Sequence, residues 1–174
     1  IDLPHEKAGG IPKLATTASV MNVAIGQGAL LTTPLQLARI YAAIANGGTL
    51  VHPHLLLKIT NSQGETVRTF QPKNKQKLSL PPDIINLLRT SLQDVVTRGT
   101  AKDKGLDIYK VAGKTGTAET GRHKDNHAWF AGYAPYDNPR YCFVILVEHT
   151  PGHGGDIAGP IARELMSHLF PEIS

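Results

Sequence analysis

The sequence is poor in cysteine and in aromatic residues. Its one cysteine, Cys142, lies inside the apolar run YCFVILVE, which excludes an intramolecular disulfide. A buried free cysteine ordinarily acts as a small hydrophobic side chain. One cysteine is compatible with a cytoplasmic protein and with an exported protein that does without disulfides, so the compartment stays open on this observation. Aromatic residues account for only 6% of the chain.

A sustained basic stripe is also missing. The formal net charge is +4, and the basic residues are scattered except for the cluster KNKQK at 73–77. Nucleic-acid surfaces usually combine such a stripe with interleaved aromatic residues. We therefore interpret the cluster as a solvated loop and predict no nucleic-acid partner.

Long apolar runs are absent as well. No stretch of the sequence approaches the roughly 18 residues of a membrane span, and no signal peptide is recognisable. The sequence begins with Ile1 rather than Met, so we expect it to be a piece of a longer chain. What is present, 174 residues with 41% hydrophobic and 18% charged side chains, predicts one ordinary globular domain.

The first half of the chain contains irregular stretches and one clear helix. Residues 1–21 are interpreted as irregular, and the glycines on either side of Gln27 predict a tight backbone path. Thr33 as N-cap and Pro34 at the first helical position predict a helix that ends at Asn46. Its wide apolar face predicts that this helix is well buried.

Further elements follow at regular intervals. The runs at 54–60 and 65–70 predict two strands joined by the hairpin residues NSQG. A second helix is predicted from Pro82 to a stop at Gly99.

The second half is dominated by strand patterns. Three runs predict strands: TGTAE, HAWFAGYAP and YCFVILV (141–147). Turn residues join the second run to the third, so these two strands are expected to be antiparallel neighbours. After the glycine-rich PGHGGD, apolar spacing predicts a helix over IAGPIARELMSHLF. The predicted fold is α/β of the α+β type, with an antiparallel sheet flanked by helices.

The stretch VAGKTGTAET at 111–120 has two opposed interpretations. A phosphate-binding loop needs a glycine five residues before the final Gly-Lys-Thr, but that position is Ile108, which is unsuited to the turn. A helix should also follow the motif, and a strand pattern follows instead. The alternative is Lys-Thr-Gly on a strand, a triplet that lines the cleft of serine acyl-transfer sites.

The residue types suit that second chemistry. Lysine places positive charge near a nucleophile and a substrate carboxylate, and threonine hydroxyls can donate hydrogen bonds to that carboxylate. Glycine lets a substrate lie against the backbone, and the following amide can point at a developing oxyanion. The triplet alone is weak, because a strand with a solvent-facing lysine would look the same.

The order of four motifs is far more specific. The segments IGQG, TPLQLA, KTGTAE and WFAGYAP follow one another, and GGDIAGPIAREL comes near the end. From about Asn22 to Phe170 the chain resembles the class B penicillin-binding proteins, most of all the transpeptidases of cell elongation. The resemblance implies a penicillin-binding, serine β-lactamase-like transpeptidase fold with no cofactor.

The resemblance also implies an activity. Members of this family cross-link peptidoglycan stem peptides through a serine acyl-enzyme, and β-lactams acylate the same serine. The expected location is the periplasmic face of the inner membrane, in a membrane-anchored protein that works with elongation-complex proteins. Carried over residue by residue, Lys114 is the catalytic residue that gives electrostatic and proton-relay support. Thr115, Gly116 and Thr117 bind the substrate, and the Thr117 amide forms half of the oxyanion hole.

One departure from the family pattern is large. The family uses Ser-x-x-Lys for the nucleophile and Ser-x-Asn or Ser-x-Asp for a second proton relay. None of the serines of this sequence has either spacing: Ser19, Ser62, Ser79, Ser91, Ser167 and Ser174. We therefore expect residues 1–174 to be the C-terminal portion of a single transpeptidase domain, partnered by the N-terminal half. The open alternatives are an inactive penicillin-sensing module of the same fold, a septal transpeptidase and a β-lactamase, which would need a deacylating carboxylate that cannot be assigned in this sequence.

Other candidate residues receive ordinary interpretations. The pairs His123 and His127, and His149 and His153, have a spacing that suggests zinc, but their surroundings indicate exposed loop histidines, so no metal site is predicted. The aromatic residues of the WFAGY run, Trp129, Phe130 and Tyr133, are predicted to pack on the sheet. For Gln27, a position facing the cleft and a role in stabilising its turn both stay open.

Overall fold

The computed structural model describes residues 4–71, 76–121 and 125–173. Within them, the chain forms four helices and seven strands. In chain order they are α1 Thr17–Ala24, α2 Pro34–Ala45, β1 Thr49–Leu50, β2 Lys58–Thr60, β3 Thr66–Thr69, β4 Gln76–Lys77, α3 Pro82–Thr97, β5 Ala112–Ala118, β6 Asn126–Ala134, β7 Tyr141–Thr150 and α4 Gly154–Leu169.

The last three strands form the central sheet. Its order is β5-β6-β7, and both pairs are antiparallel. In register, Lys114 faces Ala131, Gly116 faces Trp129, and Trp129 faces Leu146 of β7. The predicted antiparallel neighbours and the α+β class are therefore confirmed.

Helices cover the two faces of this sheet. On one face, Phe130 and Phe143 meet edge to face with their ring centroids 5.5 Å apart, and both rings are buried in one cluster with α4. The buried side chains that α4 contributes to this cluster are Ala158, Ala162 and Met166. On the other face, α2 packs through Ile44 and Ala45 against Ala112 and Tyr133. Small residues in α4 allow its backbone to lie close to the sheet.

The start of α2 shows why this sequence forms a helix there. The Thr33 hydroxyl accepts a hydrogen bond from the Gln36 backbone N–H at 3.2 Å, and the Gln36 side chain accepts one from the Thr33 N–H at 2.9 Å. This reciprocal pair satisfies two N–H groups that a helix start would otherwise leave unpaired. The buried residues of α2 are Ala43, Ile44 and Ala45 at its end, so the predicted burial holds for the last turn and not for the whole helix.

We expect Thr33→Ala to lower the thermal midpoint of the transpeptidase domain by about 3 °C, because loss of an N-cap costs about 1 kcal/mol. Differential scanning calorimetry measures this change. Thr32→Ala is the matched control, since the Thr32 hydroxyl makes only long contacts of 3.4 Å. An equal loss in both variants would contradict the capping role.

Several boundaries differ from the sequence-based expectations. Helix α1 lies partly inside residues 1–21, for which the sequence predicts irregular structure. It begins with a capping box between Thr16 and Ser19 and has no buried residues, so it leaves no apolar periodicity to detect. The predicted helix at 157–170 begins earlier, at Gly154. In the KNKQK cluster, the last two residues form β4 rather than a loop, and residues 73–75 lie outside the described part.

The hairpin strands β2 and β3 exist as predicted but are shorter than the runs 54–60 and 65–70. Every residue of both strands is exposed, so packing does not extend them. Among the residues that the structure describes, none of the helices is both long and apolar enough to cross a membrane.

Candidate functional site

A cleft of about 800 Å³ lies beside β5. One wall is β5 itself from Lys114 onward, and the opposite wall is the loop from Ile25 to the start of α2. Trp129, Ala131 and Leu146 line it from the face of the central sheet. The predicted substrate-holding triplet thus lines this cleft.

Lys114 lies on the cleft side of β5. Its cross-strand partner Ala131 also lines the cleft, and cross-strand partners share one face of a sheet. The Lys114 ammonium donates a hydrogen bond to the Thr115 carbonyl at 2.8 Å. The side chain therefore turns toward the outer edge of β5, where its charge can meet an anion in the cleft.

The two threonines lie on the alternate positions of β5 and point toward α4. The Thr115 and Thr100 hydroxyls are hydrogen-bonded at 2.7 Å. The Thr117 hydroxyl accepts a hydrogen bond from the Gly154 backbone N–H at 3.0 Å, at the first residue of α4. Because this hydroxyl accepts a backbone N–H, its own proton is left for an acceptor such as a carboxylate. The positive end of the α4 dipole lies beside it and favours negative charge there.

This contact requires glycine at the start of α4. A Cβ at Gly154 would lie 2.0 Å from the Gly116 carbonyl oxygen and 2.8 Å from that of Trp129. A Cβ at Gly155 would lie 2.7 Å from the Thr100 carbonyl oxygen. The glycine-rich sequence before the helix is therefore what brings the helix N-terminus against β5.

The outer edge of β5 presents backbone groups to the cleft. Within the described ranges, β5 has β6 as its only strand neighbour. The Thr117 carbonyl and the Glu119 N–H both point outward, because both are hydrogen-bonded by the Gln27 side chain. In an antiparallel pair, the N–H and C=O of one residue point the same way, so the Thr117 amide also points outward. This is the amide that the family resemblance assigns to the oxyanion hole.

Cys142 does not offer an attacking group. It is partly buried against α2, and its thiol donates a hydrogen bond to the Ala38 carbonyl at 3.2 Å. Burial raises the pKa of the Cys142 thiol to about 11, so it is protonated at neutral pH. Protonated thiols are poor nucleophiles.

Two of the histidines differ from their predicted loop setting. His127 lies in β6 and lines the cleft, and His149 lies in β7, so neither is a loop residue. Their rings meet edge to face with centroids 4.7 Å apart, and the His127 Nδ1 accepts a hydrogen bond from the His149 N–H. His153 is the N-cap residue of α4, and His123 lies outside the described residues.

Trp129 lies in β6, is only half-buried and also lines the cleft, a position that its predicted packing on the sheet does not include. Phe130 and Tyr133 are fully buried as predicted. In the described part of the chain, His, Cys, Asp and Glu side chains form no group of three or more that could hold a metal ion.

Comparison with known families agrees with this geometry. The family model of the penicillin-binding protein transpeptidase domain matches residues 1–167. This chain belongs to that family. The resemblance inferred from the four motifs is therefore confirmed, and so is the fold it implied.

Individual relatives are moderately similar. Penicillin-binding protein PbpB of Mycolicibacterium smegmatis is 32% identical over 98% of this chain and 29% of its own length. Peptidoglycan D,D-transpeptidase MrdA of Acinetobacter baumannii is 32% identical over 91% of this chain and 27% of its own length. The chain spans between 26% and 34% of the curated relatives' lengths.

Solved structures are also similar over most of this chain and over about a third of their own length. Penicillin-binding protein 2B of Streptococcus pneumoniae superposes with a TM-score of 0.83 and 28% identity, over 98% of this chain and 30% of that one. An imipenem acyl-enzyme complex of penicillin-binding protein A from M. tuberculosis superposes with a TM-score of 0.77 and 28% identity, over 93% and 36% of the two chains. The fold of this chain is therefore the corresponding portion of a penicillin-binding transpeptidase.

Two contributors to the site do not follow from the sequence motifs. Thr100 and Gly154 hold the threonines of β5 from the α4 side. Thr100 lies outside the family motifs, and Gly154 begins the segment GGDIAGPIAREL, whose sequence does not show this contact. The glycine-rich run at 152–155 was the one available signal, because consecutive glycines often mark a close backbone approach.

Proposed function

We propose that residues 1–174 form the C-terminal portion of the transpeptidase domain of a peptidoglycan D,D-transpeptidase. The complete protein would cross-link stem peptides through a serine acyl-enzyme and would be acylated by β-lactams. The observation that carries this proposal is the outer edge of β5, where the Lys114 ammonium is bonded to the Thr115 carbonyl and the Thr117 carbonyl points outward with its amide.

The proposed chemistry assigns a task to each group. A serine outside this chain attacks the penultimate D-alanine carbonyl and forms an ester bond, while the Thr117 amide donates to the developing oxyanion. The peptide bond breaks, and the terminal D-alanine leaves with the proton taken from the serine. Lys114 supports that proton transfer electrostatically, and the Thr115 and Thr117 hydroxyls bind the terminal carboxylate. An amine of a neighbouring stem then attacks the ester and releases the serine.

Gly116 has a steric task in this scheme. Its Cβ position lies 3.4 Å from the Trp129 Cβ on the cleft side of the sheet. A side chain at this position would project into the cleft on the same face of β5 as Lys114, and it would take up space that the acyl chain needs. Glycine keeps this part of the strand accessible.

The attacking serine must lie elsewhere in the protein. The serines of the described residues, Ser19, Ser62, Ser79, Ser91 and Ser167, do not line the cleft. None is followed by lysine at the Ser-x-x-Lys spacing. We propose that the preceding half of the same domain supplies this motif and completes the cleft.

The remaining assignments follow from the proposed activity. Cross-linking of peptidoglycan places the protein at the periplasmic face of the inner membrane, held there by a segment outside this chain. The similarity of IGQG and KTGTAE to the elongation transpeptidases supports a role in cell shape, together with elongation-complex proteins.

Peptide mapping tests the proposal. We expect a fluorescent penicillin to label the complete protein covalently, with the label on a Ser-x-x-Lys peptide that precedes residue 1. Label within residues 1–174 would overturn the division of the site between two halves. The same protein should release D-alanine from a peptide ending in D-alanyl-D-alanine. Acylation without any such release would instead favour the penicillin-sensing module.

A further inference from the structure

The turn that carries Gln27 reaches across to β5. Gly26 and Gly28 have φ angles of +74° and +81°, a conformation that favours glycine over other residues. The Gln27 N–H donates a hydrogen bond to the Asn22 carbonyl at 2.8 Å, which ties the turn to the end of α1. The backbone is therefore fixed in a shape that directs the Gln27 side chain into the cleft.

The Gln27 carboxamide makes two hydrogen bonds with the edge of β5. Its Nε2 donates to the Thr117 carbonyl at 3.1 Å, and its Oε1 accepts from the Glu119 N–H at 3.4 Å. A residue of a neighbouring antiparallel strand would offer the same two groups, because its backbone N–H and C=O point to the same side. The side chain thus takes the place of one residue of an additional strand.

We propose that Gln27 is a positioning residue: it holds Thr117 in place and occupies the backbone groups of β5 beyond Thr117, so that a substrate cannot pair with them. This inference rests on the proposed transpeptidase function. Thr117 is held at two points, its hydroxyl by the Gly154 N–H and its carbonyl by Gln27. These contacts restrain the Thr117 backbone, and with it the outward amide that the proposed function assigns to the oxyanion.

The same contact limits the edge available to a substrate. Beyond Thr117, the next outward N–H belongs to Glu119 and is already bonded to Gln27. An extended acyl chain that adds to β5 as a strand can therefore pair with Thr115 and Thr117 but not with Glu119. The Thr117 carbonyl keeps a second lone pair for such a chain.

Acylation kinetics of the complete transpeptidase test this role. Gln27→Leu keeps the approximate volume of the side chain and removes both hydrogen bonds. Gln27→Glu keeps the acceptor for Glu119 and removes the donor to Thr117. Stopped-flow measurements with a β-lactam separate the dissociation constant of the first complex from the rate constant of acylation. We expect both variants to slow acylation about tenfold with little change in the dissociation constant, because the oxyanion donor is misplaced.

Gln36→Leu is the matched control. The Gln36 side-chain oxygen caps α2 by accepting from the Thr33 N–H, and its amide donates to the Ala8 carbonyl rather than to β5. We expect this variant to lower the thermal midpoint without slowing acylation. Wild-type acylation rates in the Gln27 variants, or an equal slowing in Gln36→Leu, would overturn the positioning role of Gln27. Either result would leave the proposed transpeptidase function standing. A wild-type protein that no β-lactam acylates would overturn the proposed function and this inference with it.

Discussion

Lys114→Ala in the complete transpeptidase is expected to slow acylation by a β-lactam about a hundredfold to a thousandfold, the range typical for loss of an acid–base or oxyanion group. The ammonium lies at the outer edge of β5, bonded to the Thr115 carbonyl at 2.8 Å. In the proposed mechanism, alanine removes the positive charge that assists deprotonation of the serine and attracts the substrate carboxylate. The rate constant of acylation, measured by fluorescent penicillin labelling over time, reports the loss.

Two further variants separate the possible causes. Lys114→Arg keeps the charge but cannot give up a proton, so an intermediate rate would identify an electrostatic share of the effect. Lys58→Ala removes a lysine from the exposed hairpin strand β2 and should leave the rate unchanged. If Lys114→Ala acylated at the wild-type rate, Lys114 would have no part in the chemistry.

Gly154→Ala is expected to lower the thermal midpoint of the transpeptidase domain by about 10 °C, since severe overpacking costs about 3 kcal/mol. The added methyl group would meet the Gly116 carbonyl oxygen at 2.0 Å, and this neighbour is backbone that cannot rotate away. The start of α4 must then move away from β5. Acylation should fall as well, because the Thr117 hydroxyl loses its partner.

Gly10→Ala provides the comparison for that variant. A Cβ at Gly10 meets no atom within 4 Å, so alanine should fit there without loss of stability or of acylation. Calorimetry and labelling on the same preparations measure both properties. A Gly154→Ala protein as stable as Gly10→Ala would show that α4 does not need this close approach.

Local sequence determined the regular elements well. The Thr33 cap and Pro34 predict the start of α2 because capping depends on residues three positions apart. The strands β6 and β7 are predictable from continuous apolar runs joined by a tight turn, and Lys-Thr-Gly followed by a strand pattern excludes a phosphate loop. The family follows from the order of its motifs. Helix α1 escapes prediction because a helix without a buried face has no periodic signal.

Tertiary structure decided how the site is assembled. The contacts from Gln27 and Gly154 to Thr117 join residues that are 90 and 37 positions apart, and no local rule predicts such pairs. Trp129 and Phe130 are adjacent in sequence, yet one lines the cleft and the other is buried under α4, because neighbouring strand residues point to opposite faces. The sequence alone determined the family and predicted Lys114 to Thr117 as site residues. Only the packing of α4 and the Gln27 turn against β5 decided how Thr117 is held.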